Sequence, residues 1–220
     1  MPAATLTAAK SAKQGAATAS TDLAVIKTQQ PAAWFHAIHL PGGERVTVRP
    51  ARPGDAEMLQ AYVRELSASA RYNRFFGPLR ELQPAELARM THMNGSSRAT
   101  LIAEIGGSRP VIIGELRYAI LSDAACEFAI SVAEGWRRKG LGNLMLGDLQ
   151  CRVRALGVES LVGDVLRSNE TMLAFARKAG LDIAARSDDP RAVRIVKDIS
   201  APQAEVPCDE LVKPAVPMAA

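Results

Sequence analysis

The sequence predicts one α/β domain of the α+β kind, a mixed, mostly antiparallel central sheet of six to seven strands flanked by about four helices. Two observations predict it. Three β-rich runs, 98–105, 111–120 and 126–132, follow one another through short turns and so must be antiparallel neighbours. The next β-rich run, 161–166, comes only after a helical stretch, and a strand, helix, strand order requires a crossover.

The elements justify themselves in chain order. Alanine, threonine, serine, lysine and glutamine fill the first 30 or so residues, so 1–44 is expected to be a mostly disordered tail and 45–199 the domain. His36 and His39 have a spacing that ligates metal on a helix, but no third ligand lies nearby, so no metal site is expected. Pro41-Gly42-Gly43 is a turn, and 45–50 alternates polar and apolar as a half-buried strand does. Pro53-Gly54-Asp55 opens a helix whose Met58, Leu59, Tyr62, Val63 and Leu66 share one face. Tyr72, Phe75 and Phe76 are expected to staple the first helices to the sheet. Pro84 starts a helix that Asn94-Gly95 closes, and Gly106-Gly107-Ser108 joins two strands as a hairpin. Leu141, Met145, Leu149, Val153 and Leu156 recur at helical spacing before Gly157. Ser168 or Asn169 caps a further helix that Gly180 ends, and short strands follow at 182–185 and 192–199. Prolines at 202, 207, 214 and 217 mark 200–220 as a disordered tail.

Composition bounds the function. A chain of 220 residues, 48% hydrophobic and 23% charged, has the makeup of a soluble globular protein. Its net charge of +4 is mild and its basic residues are dispersed, which suits local anion sites and argues against nucleic acid. Cys126, Cys151 and Cys208 form neither an even framework nor a close pair, so a reducing, cytoplasmic location is expected. No apolar run is long enough for a membrane span, and the N-terminal residues have no apolar core like that of a signal peptide, so none is expected. The sequence leaves the oligomeric state open.

The stretch 126–142, CEFAISVAEGWRRKGLG, carries the chemistry. A buried strand hands the chain through glycines to a helix near Leu141, so backbone amides, the positive end of the helix dipole and Arg137, Arg138 and Lys139 converge on one anion. Gly135 and Gly140 have Walker A separation, but Leu141 and Gly142 follow where a lysine and a hydroxyl are needed. The dinucleotide fingerprint fails at Met145, where a third glycine is required.

The run Arg137-Arg138-Lys139-Gly140-Leu141-Gly142 matches the phosphate loop of the GNAT superfamily of N-acetyltransferases, and the fold above is GNAT-like. The segment 169–180 resembles that family's asparagine segment, and Leu66-Ser-Ala-Ser-Ala-Arg-Tyr-Asn-Arg-Phe-Phe76 is similar to bacterial protein-lysine acetyltransferases of the Pat type. The resemblance implies acetyl-CoA as cosubstrate, its pyrophosphate on the amides of Lys139, Gly140, Leu141, Gly142 and Asn143. The pantetheine arm then pairs with Ile130, Ser131 and Val132, and Asn169 contacts it. Amides near Ser131 and Val132 are the expected oxyanion donors.

Acyl transfer needs an unprotonated amine, whereas a lysine has an ordinary pKa of about 10.4. Glu127, a carboxylate inside an apolar strand, is the candidate general base, with burial expected to raise its pKa; the bland alternative is a surface residue paired to Arg117. Many relatives carry a tyrosine where Ala176 stands, so the group that protonates the thiolate is unassigned; Tyr72 and Tyr118 are the nearest phenols in the expected fold. Cys126, on the opposite strand face from Glu127, is not expected to be acylated. The expected activity is transfer of an acetyl group to a primary amine, a protein lysine, by direct attack. The alternatives are a small-molecule amine acetyltransferase and a catalytically silent CoA-binding sensor.

Overall fold

The computed structural model of the protein describes residues 36–92, 97–122, 124–186 and 188–201. Its strands are β1 (His36–His39), β2 (Arg45–Pro50), β3 (Arg98–Ile105), β4 (Val111–Ser122), β5 (Ala125–Val132), β6 (Ser160–Leu166), β7 (Asp182–Ala185) and β8 (Ala192–Asp198). They form one sheet in the order β1-β2-β3-β4-β5-β6-β8-β7. Every neighbouring pair is antiparallel except β5 with β6, the pair that the crossover demands. The helices are α1 (Ala56–Glu65), α2 (Ala68–Phe75), α3 (Pro84–Thr91), α4 (Leu141–Arg154) and α5 (Glu170–Lys178).

The architecture agrees with the sequence, with two additions. The sheet begins at His36 rather than at position 45, because Gly43, at φ 86°, closes a hairpin that lays β1 on β2. Four residues are too few to carry a readable alternation. The second addition is α2, which has no fully buried residue and packs only Ala70 and Phe75, both partly buried, against the α1-side core, too few to show a helical period. The turn expected at Asn94-Gly95 and both expected tails, apart from residues 36–44 and 200–201, lie outside the described residues. Cys126 is a free, buried thiol, whereas Cys151 is disulfide-bonded, a departure from the expectation of unpaired cysteines that spacing along the chain cannot disclose. Among the described residues no helix is long and apolar enough to cross a membrane.

Alternation along the strands divides the core. Leu101, Leu116, Tyr118, Cys126 and Phe128 pack with Leu141, Met145, Leu149 and Val153 of α4 on one face. Ile102 and Ile112 pack with Leu59, Tyr62 and Val63 of α1 and with Met90 of α3 on the other. Each large aliphatic so buried contributes about 1.5–3 kcal/mol. The second layer is pinned by charge as well. Arg49 on β2 donates to both Asp55 oxygens at 2.7 and 2.9 Å, and to Glu104 on β3 at 3.0 and 2.8 Å. Asp55 ends the turn that starts α1, so one buried guanidinium joins two strands to a helix.

The hydrogen bonds from Arg49 hold the Asp55 carboxyl below the usual carboxylate range. Its contribution is therefore complete above the unfolded value of about 3.9 and is lost as the pH falls through the lower folded value. Asp55→Ala is expected to cost about 3 kcal/mol in urea unfolding at neutral pH, and the gap from the wild type is expected to close as the pH falls through that lower value.

Candidate active site

β5 and β6 pair at only three positions, Ala125 with Ser160, Cys126 with Leu161 and Glu127 with Val162. Beyond Glu127 the strands separate, and β5 continues to Val132 along the edge of the gap. The backbone direction there follows from one bond. The Ala133 amide donates to the Ile113 carbonyl on β4 at 2.9 Å, so by alternation Ser131 also turns its backbone to β4, opposite Glu115. Ile130 and Val132 face the gap instead. This corrects the expected use of the Ser131 amide as a donor there.

The chain leaves β5 through a short 3-10 turn over Glu134–Trp136 and enters α4 at Leu141. Arg138 and Gly140 both have positive φ, 62° and 88°, which bends the loop back over the helix start. Gly142 has a different reason to be glycine: a Cβ there would meet the Phe175 ring of α5 at 3.2 Å. The three cations of the loop differ in their engagement. Arg137 Nε donates to the Val132 carbonyl at 3.0 Å and its guanidinium lies 3.3 Å from Glu134. Lys139 Nζ bonds Glu44 at 2.9 Å while lying over the Trp136 ring at 4.4 Å. Arg138 and Asn143 are exposed at the mouth of the loop. Asn169 caps α5, its Oδ1 accepting from the Met172 amide at 3.2 Å.

Glu127 is half-buried on the face of β5 that also carries Ala129 and Ser131. The pairing with Arg117 does not form, because Arg117 bonds Glu86 of α3 at 2.5 Å. Among the described residues the Glu127 carboxylate takes no hydrogen bond, and it interacts electrostatically with Arg194 of β8. Tyr72 of α2 is near enough to Arg191, in the loop between β7 and β8, to act on it electrostatically.

Sequence reasoning missed a second carboxylate on the same face. Glu115 of β4, 1% exposed, accepts from Arg74 Nε at 2.5 Å and Nη2 at 3.1 Å. The Ser131 hydroxyl donates to it at 3.1 Å, and the Tyr62 hydroxyl lies 2.9 Å from the Ser131 oxygen. The signal was present, since Glu115 also interrupts an apolar strand, as Glu127 does. Of the two phenols singled out from sequence, Tyr118 is buried in the α4-side core and Tyr72 is exposed on α2. Ala176 is fully buried against that same core. Cys126 faces it too, and burial pushes its thiol up to about 12.

The comparisons with known proteins agree with this arrangement. The model of the acetyltransferase (GNAT) family matches residues 60–181. An acetyltransferase of Pseudomonas aeruginosa is 28% identical over 137 residues, 60% of this chain and 73% of that one. The crystal structure of the GNAT domain of S. lividans PAT is similar with a TM-score of 0.69 at 27% identity, over 75% of this chain and 97% of that domain. The acetyltransferase-like yncA of Salmonella typhimurium, solved with its cofactor acetyl-CoA, shares the fold with a TM-score of 0.53 at 17% identity, over 72% of this chain and 98% of that one. The family match runs over more than half of the chain and takes in the strand, loop and helix that meet at the opening; the protein belongs to the GNAT family and is an N-acetyltransferase.

Proposed function

We propose that the protein transfers the acetyl group of acetyl-CoA to a lysine side chain of another protein, by direct attack of the amine on the thioester with Glu127 as general base. The observation that carries this reading is the position of Glu127. It is the last residue of β5 paired with β6, its carboxylate is unbonded among the described residues, and the pairing ends beyond it.

The residues present fit acetyl-CoA. The amides of Lys139, Gly140, Leu141, Gly142 and Asn143 hold its pyrophosphate at the start of α4, assisted by Arg137 and Arg138. Ile130 and Val132 bond the pantetheine arm as an added strand would, and Arg137 must yield the Val132 carbonyl to it. Asn169, while capping α5, keeps its side-chain NH2 for the arm. Bound there, acetyl-CoA supplies an activated acyl group. Glu127 takes the ammonium proton of the acceptor, directly or through water, and frees the lone pair that attacks the carbonyl carbon. The C–N bond forms, the C–S bond breaks, and the second proton of the amine passes to the departing sulfur, directly or through water, so that the products are the amide and CoA thiol.

The lysine acceptor is supported by the Pat-like segment at 66–76, which includes α2, and by the similarity to the S. lividans PAT domain. Ala176 favours a second reading, a CoA-binding module without turnover, because a buried alanine stands where many relatives place the phenol that protonates the sulfur. Acceptor-dependent thiol release separates the two. Release with a lysine-rich protein mixture is the expected result, and release only with polyamines or amino acids would replace the protein acceptor by a small amine.

Glu127→Gln is expected to lower kcat by about 10²–10³-fold while acetyl-CoA affinity by calorimetry is unchanged; unchanged turnover would remove Glu127 from the mechanism. At Gly140 the left-handed backbone costs an L-residue about 1–2 kcal/mol. Gly140→Ala is accordingly expected to weaken acetyl-CoA binding about tenfold and to leave the KM of the amine alone, which substrate titrations of the variant can check.

A further inference from the structure

Tyr62, Ser131, Glu115 and Arg74 join α1, β5, β4 and α2 through one continuous chain of hydrogen bonds, and the chemistry of its members allows only one arrangement of protons. Glu115 is pinned by two guanidinium N–H groups of Arg74, so it is an acceptor only. Ser131 must therefore give its single hydroxyl proton to Glu115. The Tyr62 hydroxyl, 2.9 Å away, must then donate to the Ser131 oxygen. Burial, followed by the negative charge of Glu115, pushes the Tyr62 phenol well above its ordinary value, in keeping with a permanent donor. The Ser131 oxygen is left with its hydrogen turned away and one lone pair uncommitted.

That lone pair lies on the face that Glu127 occupies. Glu127 and Ser131 stand two positions to either side of Ala129, whose small side chain leaves the strand surface between them low. At about 3.3 Å per residue, a nitrogen above Ala129 is roughly 7 Å from the backbone of each, within reach of both side chains directly or through one water. We infer that the Ser131 hydroxyl is a further catalytic group, which accepts a hydrogen bond from the attacking amine and so aims its lone pair at the thioester, with Tyr62, Glu115 and Arg74 as the positioning residues that fix its proton away from the amine. This rests on the function proposed above. It also gives α2 a reason to be held to the sheet by an arginine with a side chain only 9% exposed.

The decisive comparison is between Ser131→Thr and Ser131→Val, which have the same shape and differ in the hydroxyl. With polylysine as acceptor and thiol release as the readout, Ser131→Thr is expected to keep kcat/KM within about threefold of the wild type. Ser131→Val is expected to lose about 10–100-fold, with acetyl-CoA affinity by calorimetry unchanged in both. Tyr62→Phe, which removes only the donor, is expected to lower kcat/KM about fivefold with the same unchanged affinity, and it decides the matter if Ser131→Val does not fold. Equal turnover of the threonine and valine variants, or wild-type turnover of Tyr62→Phe, would overturn the role of the hydroxyl while leaving the acetyltransferase reading intact. A wild-type protein that binds acetyl-CoA and releases no thiol with polylysine would overturn both.

Discussion

The parallel pairing of β5 with β6, abandoned after three residues, is the constraint on which the site depends. Parallel neighbours cannot be joined by a hairpin, so the chain leaving β5 must cross the sheet, and α4 is that crossing. The positive end of α4 is thereby fixed at the end of β5 where the two strands have already separated. The positive end of a helix and an unpaired strand edge thus meet at one point as a consequence of topology. Gly140 and Gly142 then let the loop turn and α5 close over it, the first through its positive φ and the second by admitting Phe175.

Two glutamates face the same side of the sheet in opposite electrostatic states. Glu115 is buried and neutralised by Arg74, and its lone pairs are committed to a guanidinium and a hydroxyl. Glu127 is half-buried and unbonded among the described residues. A general base must have a lone pair to offer, so the more deeply buried carboxylate is the poorer candidate. Its function is architectural, tying α2 to β4 and orienting Ser131.

Much of this was legible in the sequence because it is local. The glycine and arginine pattern of 137–142, the alternation of the central strands and the helical spacing from Leu141 onward each involve residues close in the chain. Asn169 was legible as a cap for the same reason. What stayed hidden depends on partners far apart in sequence: Arg74 with Glu115, Lys139 with Glu44, Tyr62 with Ser131. The strand β1 was too short to show a period, and α2 turns only Ala70 and Phe75 to the core, too few to show one. Glu115 and Glu127 carry the same sequence signal, a carboxylate in an apolar run, and it is the depth of burial and the position of Arg74 that distinguish them.

Backbone amide hydrogen exchange with and without acetyl-CoA tests the opening between β5 and β6 most directly. Bound acetyl-CoA is expected to slow exchange at Ile130 and Val132 and across residues 139–143, while the Ser131 amide, already turned to β4, exchanges at the same rate in both states. Saturable binding that leaves Ile130, Val132 and the start of α4 exchanging as before would contradict the assignment of this gap as the acetyl-CoA site.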